Sequence, residues 1–324
     1  MKIRNIFLLA FPFLLTGCVA YFDTKEREKQ TRESFSVTWN ASVGTKYSDL
    51  SYGSGSYNKY DLFVPTEHSE KSTHLILYTH GGGWTSGSKD SGDVYCKYFT
   101  SKGYVTASID YTLSDGINEP TITSINDELL AAVSEIKNKA HELGYELVDM
   151  ANFGFSAGGC QSIFYAFKER TTSPLPVRFV LDWSGPTSFN PDHWSAEAGT
   201  YPPELNLLGL DGSNAGKAGM VQKFSGQTCT ADMIADGSAE AIWNSISPLH
   251  YVDSGIPPLI ICYGSYDGIV PVIHQRLLIE ALDEAGVEYH AVEFKNSGHG
   301  LHCDPNKMNE FKQMADEYCA RYFN

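Results

Sequence analysis

The sequence predicts a doubly wound α/β domain, a mostly parallel and buried β-sheet with helices on both faces, and three observations carry that prediction. Short, mostly apolar or alternating runs recur at residues 75–78, 104–109, 150–155, 177–183 and 258–263. Each is too short for a core helix and is bounded by turn residues, as buried strands are. Stretches of helical periodicity lie between several of these runs, so the strands must be joined by crossover connections, which parallel pairing requires. Finally, 324 residues with 42% hydrophobic and 13% aromatic content supply one large core, and no composition break divides it.

Taken in order, the chain opens with a targeting pattern. Lys2 and Arg4 precede an apolar run over residues 6–15, which has the length of a signal-peptide core and is too short to span a bilayer. Leu15-Thr16-Gly17-Cys18 follows, and it resembles the lipobox of bacterial lipoproteins, which implies removal of residues 1–17 and lipidation of Cys18. Residues 18–45, polar and carrying the cluster Lys25-Glu26-Arg27-Glu28-Lys29, read as a tether, with the folded domain expected over 46–324. Six cysteines remain after Cys18, an even number that allows 15 full pairings, and Cys303 with Cys319 is the first pair to test. Cys160 and Cys262 fall in apolar stretches, where a buried free thiol is expected.

Alternating tyrosines over residues 47–64, with Gly53 and Gly55 between them and Pro65 closing, predict a hairpin of edge strands. The strand at 75–78 runs into His80-Gly81-Gly82-Gly83-Trp84, where consecutive glycines leave backbone N–H groups open to close approach by an anionic oxygen. A helix is expected over 95–102 and a strand over 104–109. Ser124-x-x-Asp127 then reads as the start of a long helix with Ile125, Leu129, Ala132, Ile136, Ala140 and Leu143 on its inner face, ending near Gly144. Residues 150–155 form the next strand and 157–168 the helix after it. Residues 185–246 break this rhythm with Gly, Pro, Ser and aromatic residues, and read as a cap or lid over the carboxyl ends of the strands. Strand 258–263, helix 272–285, strand 288–294 and helix 306–322 complete the fold.

Between the strand at 150–155 and its helix stands Gly154-Phe155-Ser156-Ala157-Gly158, the spacing of a nucleophile elbow. Two more turns that follow strands carry Asp267, in Gly264-Ser265-Tyr266-Asp267-Gly268, and His299, in Ser297-Gly298-His299-Gly300. In a doubly wound sheet these turns share one edge, so Ser156, Asp267 and His299 can converge despite their separation in sequence. The order Ser, Asp, His is that of the α/β-hydrolase fold. A serine hydroxyl needs a base: His299 would take the Ser156 proton, Asp267 would fix the imidazole tautomer, and the N–H groups of Gly82, Gly83 and Ala157 would hold the oxyanion. Asp110 and Asp182 also end strands and read as structural acceptors. His302 and Cys303 adjoin His299, but no HExxH or paired Cys-x-x-Cys accompanies them, so neither a metal nor an organic cofactor is expected.

These segments, together with Ser108-Ile109-Asp110-Tyr111, Ser247-Pro248 and Asp267-Gly268-Ile269-Val270-Pro271, make the chain from about Tyr47 onward resemble the α/β-hydrolase esterases of the hormone-sensitive-lipase-like group. Among these it is most similar to the bacterial carboxylesterases that include acetyl xylan and feruloyl esterase-like members and the kynurenine formamidases. Where many relatives have Asp-Tyr-Arg-Leu this chain has Asp110-Tyr111-Thr112-Leu113, which removes an arginine expected to form a structural ion pair. The resemblance implies a serine carboxylesterase acting on short-acyl esters such as acetylated or feruloylated sugars. An amide hydrolase using the same triad and a non-catalytic surface binding protein on a hydrolase scaffold are the alternatives. The net charge of −15 argues against nucleic acid or an anionic membrane surface as an electrostatic partner, leaving the N-terminal lipid as the expected membrane contact.

Overall fold

The computed structural model describes residues 31, 33–194, 210 and 212–323. Cys18 and most of the expected leader and tether lie outside the described residues. An eight-stranded sheet has the order β1-β2-β4-β3-β5-β6-β7-β8. Its strands are β1 Gly44–Ser51, β2 Lys59–Pro65, β3 His74–Thr79, β4 Val105–Ile109, β5 Asp149–Phe155, β6 Val177–Trp183, β7 Leu259–Gly264 and β8 Tyr289–Phe294. β2 runs antiparallel to both β1 and β4, and every pair from β4 through β8 is parallel. The predicted hairpin is therefore present, but only β1 is an edge: β2 lies inside the sheet, which its buried pattern requires.

The helices that carry the crossovers are α1 Asp93–Thr100, α2 Ile122–Glu142 and α3 Ala157–Lys168. Three more, α4 Asn214–Ser225, α5 Ala231–Ala235 and α6 Glu240–Ile246, belong to the segment read as a cap, and α7 Ile273–Ala285 and α8 Pro305–Tyr322 follow. One face of the sheet packs α1 and α8, with Phe99, Phe153, Trp183 and Phe311 in a shared aromatic core. The other packs α2, α3 and α7. α2 buries Ile125, Leu129, Ala132, Ile136 and Ala140 at the predicted spacing, yet it starts one turn earlier than Ser124 suggested. Thr121 is the N-cap. Its hydroxyl accepts from the Ser124 N–H at 3.0 Å while the Ser124 hydroxyl accepts from the Thr121 N–H at 2.8 Å, so Ser124 is the returning half of a capping box.

Two other expectations are corrected. Residues 18–45 do not read as a tether throughout, because Phe35 is fully buried against Tyr95, Tyr98, Trp183 and Phe311, so the packed domain begins before residue 46. Cys303 and Cys319 do not pair: both are free thiols, Cys303 just before α8 and Cys319 near its far end, and the helix at about 1.5 Å per residue holds them well beyond disulfide reach. Cys160 and Cys262 are buried free thiols, as read from their apolar surroundings.

What matters for the site is register. Thr79 pairs with Gly154, Phe155 with Trp183, Trp183 with Cys262, and Gly264 with Phe294. The strands therefore end level, and the turns after β3, β5, β6, β7 and β8 emerge side by side.

Candidate active site

Ser156 occupies a turn with no room for side chains around it. A Cβ on Gly154 would lie 2.1 Å from the Gly158 carbonyl oxygen, and one on Gly158 would lie 2.0 Å from that of Thr79. Glycine at both positions is what lets β5 reverse into α3, and between them Ser156 is held at φ +57°, ψ −123°. A non-glycine residue there costs of order 1–3 kcal/mol. The turn is fixed by the Ser156 N–H donating to the Trp183 carbonyl at 2.7 Å and by the Cys160 N–H donating to the Ser156 carbonyl at 3.0 Å.

The three separated residues converge. His299 Nε2 lies 2.8 Å from Ser156 Oγ, and His299 Nδ1 lies 2.8 Å from Asp267 Oδ2. The other oxygen of Asp267 accepts the N–H groups of Ile269 and Val270, each at 2.9 Å. With both oxygens engaged and the residue 2% exposed, the carboxylate is oriented by its own turn before it meets the histidine. The geometry gives Nδ1 the proton and leaves Nε2 as the acceptor for the serine hydroxyl.

The histidine loop has its own brace, which sequence reasoning missed. Asp304 accepts from the Asn296 backbone N–H at 2.9 Å, from Asn296 Nδ2 at 2.6 Å and from Ser297 Oγ at 2.7 Å, while Ser297 Oγ accepts from the Cys303 N–H at 2.9 Å. The only sequence signal was an aspartate placed just before Pro305 at the start of a helix. Tyr266 N–H donates to the Ser297 carbonyl at 3.0 Å, tying the aspartate turn to the histidine loop. Phe155 packs against the His299 ring at 5.0 Å.

The glycine run lies beside the elbow, since a Cβ on Gly81 would sit 3.0 Å from Ser156 Cβ. Gly82 adopts φ +124° and its carbonyl accepts from the N–H groups of Thr85 and Ser86, both at 3.1 Å. Among the described residues no acceptor takes the N–H of Gly82, Gly83 or Ala157, and Ala157 is the first residue of α3, where helix geometry supplies no partner. His80 anchors the run from beneath: its Nδ1 lies 2.7 Å from the Gly81 carbonyl, its ring stacks on Tyr111 at 4.3 Å, and its own carbonyl accepts the Tyr111 hydroxyl at 2.9 Å. Burial lowers the His80 pKa to about 4, so the ring is neutral near pH 7.

Asp110 and Asp182 serve as structural acceptors. Asp110 takes the Lys89 N–H at 2.6 Å and Asp182 takes the Gly185 N–H at 3.0 Å, and burial pushes the carboxyl of Asp182 well above the usual range. At the position of the expected arginine, Thr112 instead hydrogen-bonds Glu128 through its N–H at 2.8 Å and its hydroxyl at 2.5 Å, so the tie to α2 survives without an ion pair. In the described part of residues 185–246, Phe224 of α4 packs edge-on to Trp84 at 4.9 Å and Phe189 lies 5.8 Å from it. This segment therefore abuts the end of the glycine run. His302 carries a buried ring nitrogen without a partner, and among the described residues no group of three His, Cys, Asp or Glu is placed to hold a metal ion.

Comparison with known proteins agrees with this geometry. The BD-FAE family matches residues 60–282. Esterase LipI of Mycobacterium tuberculosis is 26% identical over 243 residues, which span 72% of this chain and 73% of LipI. Carboxylesterase NlhH of the same organism is 28% identical over 196 residues, 60% of this chain and only 56% of NlhH. Among solved structures, a truncated carbohydrate esterase from gut microbiota superposes with a TM-score of 0.66 at 18% identity, covering 88% of this chain and all of that one, a likeness of fold. The level strand ends, the serine elbow and the family match lead to one assignment: this chain belongs to the BD-FAE family, within the α/β-hydrolase esterases.

Proposed function

We propose that this chain is a serine carboxylesterase that cleaves short-acyl esters through a covalent acyl-enzyme. The observation that carries the proposal is the unbroken chain of hydrogen bonds from Ser156 Oγ through His299 to Asp267, 2.8 Å at each step. As Ser156 Oγ attacks the ester carbonyl, its proton passes to His299 Nε2, and the imidazolium so formed is stabilised by Asp267. Negative charge develops on the carbonyl oxygen beside the N–H groups of Gly82, Gly83 and Ala157. One such donor is worth about 3 kcal/mol in other enzymes. Collapse of the tetrahedral intermediate releases the alcohol, whose oxygen takes the proton from His299. Water then enters, gives its proton to the same nitrogen, and frees the acid.

Esters of sugars are the favoured substrates in this reading, supported by the resemblance in the sequence and by the carbohydrate esterase that shares the fold. The reading also places the protein on a bacterial membrane through a lipid at Cys18, supported by the apolar run and the Leu15-Thr16-Gly17-Cys18 motif. Purified protein should hydrolyse p-nitrophenyl acetate, and Ser156→Ala should abolish turnover, a loss of about 10⁶-fold where the nucleophile of such a triad is removed. Wild type without activity, or a Ser156→Ala variant that retains it, would sink the esterase reading. Membrane-fraction recovery that Cys18→Ala does not change would remove the anchor.

A further inference from the structure

The loop that carries His299 is closed by three nested rungs. At its neck, the Asn296 N–H and Nδ2 donate to the two carboxylate oxygens of Asp304, at 2.9 and 2.6 Å. One step in, the Cys303 N–H donates to Ser297 Oγ at 2.9 Å, and that hydroxyl gives its own hydrogen to Asp304 at 2.7 Å. Innermost, the Leu301 N–H donates to the Gly298 carbonyl at 3.2 Å. Only His299 and Gly300 lie inside the last rung, so the base stands at the apex of a loop whose two arms are tied down to their roots.

Asp304 leaves an ordinary role to do this. It is the N-cap of α8, where an aspartate normally accepts the N–H of the second or third helical residue, and here its side chain makes no such bond. Pro305 opens the helix without an N–H, and the Asp304 backbone carbonyl takes those of Lys307 and Met308, at 2.9 and 3.1 Å. Both carboxylate oxygens therefore serve the histidine loop, and α8 forgoes a cap bond worth about 1 kcal/mol.

The same loop is keyed to the acid of the triad. The Ser297 carbonyl accepts from the N–H of Tyr266, the residue before Asp267, at 3.0 Å, and a Cβ on Gly264 would lie 2.5 Å from that oxygen and 2.3 Å from the Gly298 carbonyl. Ser297 is fully buried. Through its hydroxyl and its carbonyl it joins Asp304 on one side to the Asp267 turn on the other.

We infer that Asp304 is a positioning residue for the reaction: through Ser297 and Asn296 it fixes the His299 ring between Ser156 Oγ and Asp267, and it acts by its acceptors and shape, not by its charge. The inference rests on the esterase reading and names what holds the base in register. His299 must meet Ser156 Oγ, then the leaving alcohol, then water, so a displaced ring slows every proton transfer, and a misplacement of about 1 Å can cost about 10²-fold. Among the described residues each partner of the carboxylate is a neutral N–H or O–H, so an asparagine facing a turned-over Asn296 amide can make the same bonds.

Steady-state kinetics with p-nitrophenyl acetate on the full chain, in wild-type and His299→Ala backgrounds, test this. Asp304→Ala should lower kcat about tenfold or more with KM changed less than about twofold. Asp304→Asn should bring kcat back to within about threefold of wild type. Asn296→Ala, at an exposed position, removes only the outer side-chain bond and should cost kcat about threefold. In His299→Ala, whose residual turnover comes from the oxyanion groups, both alanine changes should alter the rate by less than about twofold, because the ring they position is gone. Losses of full size without His299 overturn the inference, as does an Asp304→Asn enzyme as slow as Asp304→Ala. So does wild-type kcat in Asp304→Ala or, if that variant does not fold, in Asn296→Ala. Each of these results leaves the esterase reading standing. Wild type that neither hydrolyses acetate nor takes a fluorophosphonate on Ser156 defeats the esterase reading itself.

Discussion

Along the sheet edge, each group of the triad hangs on a turn fixed by hydrogen bonds, whereas the described part of residues 185–246 reaches the glycine run through ring packing. Ser156 is placed by two glycines and a strand end, Asp267 by two N–H groups of its own turn, and His299 by the Asp304 brace. The described part of residues 185–246 meets the glycine run through rings: Trp84 against Phe224 and Phe189, and Phe189 against Trp194 at 6.3 Å. Backbone-fixed turns hold reacting atoms to tenths of an ångström, and ring packing tolerates exchange of shape.

That contrast can be broken from the edge first. Asp267→Asn keeps the shape of the turn but supplies an amide where Nδ1–H needs an anion, and kcat should fall about 10⁴-fold with KM little changed, measured by steady-state kinetics. From the other side, Trp84→Ala removes a ring that is 4% exposed and should cost about 3–5 kcal/mol in a denaturant melt. If Asp267→Asn destabilised the fold more than Trp84→Ala, the assignment of chemistry to the triad turns and of packing to the Trp84 cluster would be reversed.

Smaller changes sharpen the picture within the glycine run. A Cβ on Gly82 would lie 2.1 Å from the Ser86 carbonyl at φ +124°, while one on Gly83 has only the Thr85 hydroxyl at 4.0 Å. Gly82→Ala should therefore lower kcat about 10²- to 10³-fold by displacing the donors, and Gly83→Ala, strained by φ +61° alone, should cost clearly less. Equal losses would mean that conformation and not space governs the loop.

A weaker effect comes from His80. Its pKa of about 4 is below the ordinary value of 6.5, so between these limits the unfolded chain binds a proton that the folded chain refuses. Stability from this residue is complete above pH 6.5 and is lost as pH falls toward 4, amounting to about 3 kcal/mol at the acid end. Thermal melts across that range should show the decline, and His80→Asn should reduce it, leaving the share of the buried His274, whose pKa burial lowers to about 3.

The parts legible in the sequence were those set by local rules. Strand runs, the elbow spacing and the glycine run each have a signature within a few residues, and the level strand ends brought Ser156, Asp267 and His299 together as their order implied. The capping box at Thr121 was misread by one turn because either Thr121 or Ser124 can cap, and only the backbone decides which comes first. The suggested pair Cys303 and Cys319 conflicted with the helix expected over residues 306–322, whose length already separates them. The burial of Phe35 was hidden because its partners, Tyr95, Trp183 and Phe311, come from three separate elements, and polar neighbours masked one buried ring. Asp304 left even less trace, since its ligands are mostly backbone and small polar groups.

The central claim is that Ser156 is the one activated hydroxyl on this edge, and labelling with a fluorophosphonate followed by peptide mass mapping tests it most directly. A single adduct is expected, on Ser156, whose rate of formation drops sharply in His299→Ala. An adduct on another serine, or labelling of Ser156 at an unchanged rate without His299, would contradict it.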